Sequence, residues 1–148
     1  MCVDVVVDGM AGSTRTTSAA GRTGSLTGTH WVGIVAALVS ALIHLVLGAR
    51  FLLNFADNGL TISLAMGASF LVATVGFLVG IWLVVADRFR PTVYLLGVPF
   101  TAGQIVLWYV LNSPGLPAPP AINPLSAGDK VAQVALIAVL VVLYRAES

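Results

Sequence analysis

Charge is scarce in this chain. Only 9% of its 148 residues are charged, and 7 Lys and Arg stand against 6 Asp and Glu for a net +1. A soluble domain is about a quarter charged. A nucleic-acid binder needs a basic cluster to grip phosphates, and the sequence has none, so no nucleic-acid partner is expected. Cysteine is nearly missing too. Cys2 stands alone, which excludes a disulfide framework and a cysteine metal site and leaves a free thiol on a loose terminus. There is no Ser/His/Asp set, no H-E-x-x-H and no glycine-rich phosphate loop. The two histidines, His30 and His44, fall on one predicted helix, about 21 Å apart by helical rise, so one chain cannot close them on a haem. No catalytic residue, metal ligand or cofactor is assigned, and an enzyme is the least supported function class.

What the chain has is hydrocarbon. It is 58% hydrophobic, with a mean hydropathy of +1.00. A single soluble domain of this size could not bury that much apolar surface, so lipid must solvate most of it. The organising stretch is residues 61–86, TISLAMGASFLVATVGFLVGIWLVVA, with no charge and no proline. A helix needs roughly 20 apolar residues to cross about 30 Å of hydrocarbon, and this run exceeds that.

Three further spans are placed around it. Residues 30–53 form the first, with Trp31 at one interface and Arg50 snorkelling to the other. This run is too long for a signal-peptide core and lacks an A-x-A cleavage site. Residues 54–60 read as a polar turn carrying Asn58-Gly59. Residues 91–111 form the third span, with Pro91 in its first turn and Pro99 inside it. Pro99 removes the bond to the carbonyl of Leu95 and predicts a kink, with Gly97 and Gly103 allowing close backbone approach. A proline-rich connection follows. Ser126 and Asp129 then read as a capping box, which starts the fourth span, 127–145, with Lys130 snorkelling. Residues 1–29, rich in Gly, Ser and Thr, cannot bury enough to offset their ordering entropy and are expected to be a disordered tail. The fold class is therefore an all-α membrane protein: four antiparallel transmembrane helices, packed as a bundle, behind that tail.

Four spans put both ends on one side. That side carries Arg15, Arg22, Arg88, Arg90 and Arg145, against Arg50 and Lys130 on the other. The positive-inside rule then expects both termini in the cytoplasm of a multi-pass cell-membrane protein. Trp82 and Trp108-Tyr109 read as interfacial belt residues.

Small residues mark the expected packing faces. Gly33, Ala37, Ser40, Ala41, His44 and Gly48 share one face of the first span, and Ser69, Ala73, Gly76 and Gly80 share one face of the second. Gly76 and Gly80 form a G-x-x-x-G pair, which predicts a close helix contact. His44 is the one ionisable group expected well inside a span. Gln104, Gln133 and Ser69 fall at similar depth, in the outer half, and converge with it in a candidate polar cluster. Two readings stay open. The cluster is either a set of hydrogen bonds fastening the helices, or the lining of a small outward-facing pocket for a ligand. A proton relay is disfavoured, because no carboxylate is expected near His44. The matching function classes are a structural or accessory protein, acting on the bilayer, on a second copy of itself or on a larger membrane partner, and a ligand-binding or transport-related protein.

The segments VYLLGVPFTAGQIVLWYVLN and DKVAQVALIAVLVVLYR, joined by the proline-rich connection, together with HLVLG in the first span, resemble a group of small uncharacterised four-span membrane proteins of haloarchaea. The resemblance covers about residues 30–146. It implies an integral protein of an archaeal cell membrane and carries no assigned activity.

Overall fold

The structure, a computed structural model, describes residues 25–113 and 122–148. Four helices occupy almost all of it: α1 Gly28–Asn58, α2 Thr61–Val85, α3 Arg90–Asn112 and α4 Pro124–Glu147. Each is long and apolar enough to cross a membrane. The expected tail lies outside the described residues up to 24, and its last two residues, 28 and 29, belong to the first helix.

Two helix boundaries differ from expectation, each for a local reason. The anticipated turn at 54–60 is mostly helix, because α1 runs on to Asn58. Side chains hold this last polar stretch: Asn58 Nδ2 donates to Asn54 Oδ1 at 2.7 Å, and Asn54 Nδ2 donates to Ser63 Oγ at 2.9 Å. Only Gly59 turns the chain, with φ of 65°, its N–H donating to the Phe55 carbonyl. At 31 residues, or about 46 Å, α1 overreaches the hydrocarbon, so this polar end can sit beyond it. The second correction is at α4, which starts at Pro124. Asn123 is the cap: its Oδ1 accepts from Ser126 N at 2.8 Å, while Ser126 Oγ accepts from Asn123 N at 3.2 Å. Ser126 is therefore the third residue of the box and not its first, and Asp129 lies a full turn inside the helix.

The α2–α3 turn bends through Asp87 and Phe89, both at φ of 54°. This sharp reversal folds Arg90 back so that its Nε donates to the Val84 carbonyl at 3.0 Å and pairs with Asp87 at 3.1 Å. Arg90 is thus buried against the end of α2, satisfying a terminal carbonyl. α3 continues through Pro99 without ending.

Neighbouring helices run antiparallel: Ala41 meets Thr74 while Gly48 meets Gly67, and Gly97 meets Leu140 while Gln104 meets Gln133. α1 packs on α2 and α4, α3 packs on α4, and α2 touches α3 most lightly. The closest seam is Gly48 against Gly67, where a Cβ on either would sit 3.2–3.3 Å from the other's carbonyl oxygen. Small alanines line the centre with Phe77, Leu136, Leu140 and Leu143, whereas Val72, Val131 and Leu96 are among many large apolar side chains pointing outward. A soluble protein could not leave that much apolar surface in contact with water.

A polar network inside the helices as candidate functional site

The buried face of α4 reads Asp129, Gln133, Leu136, Leu140, Leu143, a strict four-three alternation that turns all five residues toward the other helices. Asp129 is therefore interior despite its charge. Its Oδ1 accepts from Ser40 Oγ of α1 at 3.0 Å, and its Oδ2 meets Lys130 Nζ at 2.9 Å. His44 Nδ1 lies 3.5 Å from Oδ1 and 2.8 Å from the Ser40 carbonyl. Both neighbours are acceptors, so Nδ1 carries the proton and donates to the carbonyl. Edges of Phe70 and Phe77 flank the imidazole at 5.3 and 5.7 Å.

The network continues toward α3. Lys130 Nζ donates to Gln133 Oε1 at 2.7 Å and lies 5.4 Å from the centre of the Trp108 ring. Gln133 Nε2 in turn donates to Gln104 Oε1 at 3.3 Å. The structure thus places His44, Gln133 and Gln104 in one connected set. Ser69 is outside it, exposed on α2 and bonded to the Ala65 carbonyl of its own helix. The expectation that His44 would lack a carboxylate is overturned. Asp129 supplies one, hidden from sequence reasoning by its assignment to the cap. Lys130 is half-buried within the network. Asp129 and Lys130 neutralise each other, so no net charge is left in a region of low dielectric. His44 can accept a further proton only at Nε2.

A second polar knot closes the opposite end of the molecule. Thr27 N–H donates to His30 Nδ1 at 3.1 Å, which fixes the ring proton on Nε2. Nε2 then faces Tyr94 OH at 3.0 Å and Glu147 Oε1 at 3.1 Å, joining α1, α3 and α4. Sequence reasoning missed this knot. The available signal was His30 standing on the same small face as Gly33 and Ala37, one turn from the helix start.

The glycines divide by neighbour. A Cβ on Gly33 would meet Val139 at 2.9 Å, and one on Gly76 would meet the Phe100 ring at 2.5 Å, so both sit under side chains of another helix. Gly80, expected to make an equally close contact, has nothing within 4 Å of that position, and neither has Gly103. Gly67, the true partner of Gly48, was not on the predicted face.

Four helices of spanning length, apolar outside and fastened inside by buried polar groups, define a multi-pass membrane protein. The chain belongs to the DUF7475 family, a family of unknown function whose family model matches residues 16–144. No curated protein and no solved structure matches it.

Proposed function

We propose that this protein is a structural or accessory component of the cell membrane, with both termini in the cytoplasm, acting through helix packing with a second copy or a larger partner. The haloarchaeal setting suggested by the sequence resemblance belongs to the same reading. One observation carries it: the polar side chains of Ser40, Asp129, Lys130, Gln133 and Gln104 bond in series across α1, α4 and α3, which is what fasteners do in lipid. In proteoliposomes holding a pH gradient, the protein should pass no more protons than empty vesicles, and His44→Leu should lower thermal stability without altering flux. Proton flux that His44→Leu abolishes would replace this reading with transport. A ligand pocket in the outer half is the second reading, favoured by Gln104 Nε2, a buried donor that has no partner among the described residues.

A further inference from the structure

A chamber lies on the other side of Thr101 from this network. It holds about 80 Å³ and is walled by all four helices, with Gly76 and Gly80 of α2, Gly97 and Phe100 of α3, and Leu136 and Leu140 of α4 among its lining. It is open on one side, and the loosest seam around it is α2 against α3. On α3 the lining extends from Val93 to Thr101, about 12 Å along the helix axis. The His30–Tyr94 pair stands at the far end. The walls are otherwise apolar.

Two independent features point to an occupant. The first is the wall at Gly80, where backbone is left bare and nothing fills the space a side chain would take. Close packing normally removes such a void, because unfilled space forfeits dispersion contacts. The second is Thr101. It is 1% exposed, lines the chamber, and its Oγ1 has no hydrogen-bond partner among the described residues. A buried hydroxyl left unpaired is costly and calls for a polar atom beside it. Size sets how much of a ligand is enclosed. A cavity of about 150 Å³ takes benzene, so a chamber of about 80 Å³ encloses only the first few carbons of a chain, and its open side lets the rest run out into lipid.

We propose that this chamber binds a membrane-dissolved straight-chain aliphatic alcohol, its hydroxyl on Thr101 Oγ1, its first carbons against the glycine walls and the rest of its chain leaving through the opening between α2 and α3. The ligand enters sideways between α2 and α3. The hydroxyl both donates and accepts, so it satisfies Thr101 whichever way that hydroxyl turns.

The test uses the full chain in lipid nanodiscs and a diazirine analogue of 1-octanol as photolabel, with labelled residues mapped by mass spectrometry. Labelling is expected at chamber residues. 1-Octanol should compete at a concentration several-fold below that of octane, the difference being one hydrogen bond. A methyl-branched octanol should compete no better than octane. Gly80→Leu fills the chamber and should abolish the labelling; Gly80→Ala, a smaller filler, should weaken it if the leucine variant does not fold. Thr101→Val should keep the labelling but erase the preference for octanol over octane. Labelling that survives Gly80→Leu in a folded protein, a preference that survives Thr101→Val because water alone serves that hydroxyl, or equal competition by the branched alcohol would each overturn the proposal.

Discussion

Replacing Asp129 with leucine separates the charge of the network from its shape. In the native structure Asp129 balances Lys130 at 2.9 Å and ties α4 to Ser40 of α1 at 3.0 Å. Leucine has similar bulk and leaves Lys130 with only Gln133 Oε1 and the Trp108 face. Removing one member of a fully buried pair costs about 3–5 kcal/mol. The Lys130 side chain keeps 16% exposure, so it can lean toward the interface, and the low end of that range applies, about 3 kcal/mol. Ser40 loses less, because its hydroxyl can turn to a carbonyl of its own helix. Removing both charges, with Asp129→Leu and Lys130→Met together, eliminates the stranded cation. The Ser40–Asp129 and Lys130–Gln133 hydrogen bonds are then lost, together about 1–2 kcal/mol. The double variant should therefore be more stable than Asp129→Leu alone by about 1–2 kcal/mol, above the scatter of independent sites. Unfolding in mixed detergent micelles containing sodium dodecyl sulfate, followed by circular dichroism, measures both variants beside the native protein. The reasoning fails if the single and double variants lie within about 0.5 kcal/mol of each other, or if Asp129→Leu equals the native protein.

Further outcomes follow from other parts of the molecule. Gly67→Val pushes a branched side chain against Leu52 and the Gly48 carbonyl and should destabilise by about 1–3 kcal/mol in the same assay. A Cβ at Gly80 meets no neighbour within 4 Å and opens onto the chamber, so Gly80→Leu should keep its melting temperature near the native value; a large drop would mean the chamber is narrower than described. Gly59→Ala, at φ of 65°, should cost about 1–2 kcal/mol by forcing a Cβ into the left-handed region, and an unchanged unfolding midpoint would count against that turn geometry. For topology, Ser148→Cys and Ser113→Cys are made separately in a Cys2→Ser background. In intact cells an impermeant thiol reagent should reach position 113 and not position 148; the reverse pattern would invert the orientation.

The sequence alone determined the solvent and the architecture. Runs without charge, longer than hydrocarbon is thick, leave lipid as the only medium, and a backbone in lipid must close its own hydrogen bonds as helix. The small faces of α1 and α2 also told which sides turn inward. Asp129 shows where that reading stopped. Ser126 followed three residues later by an acid satisfies a capping pattern, yet Asn123 bonds Ser126 first, and the shift carries a carboxylate into the interior beside His44. Local pattern cannot choose between two overlapping caps; the seven-residue repeat of Asp129, Gln133, Leu136, Leu140 and Leu143 held the answer over a longer range. Other features had no local signal. Gly67 and Gly48 meet because two helices cross there, and Ser69 is exposed although Ala73, one turn on along the same face of α2, is buried. The space beside Gly80 exists because α2 and α3 stay apart while α1 and α4 hold the remaining sides. Such distances belong to pairs of helices, and only the tertiary structure sets them.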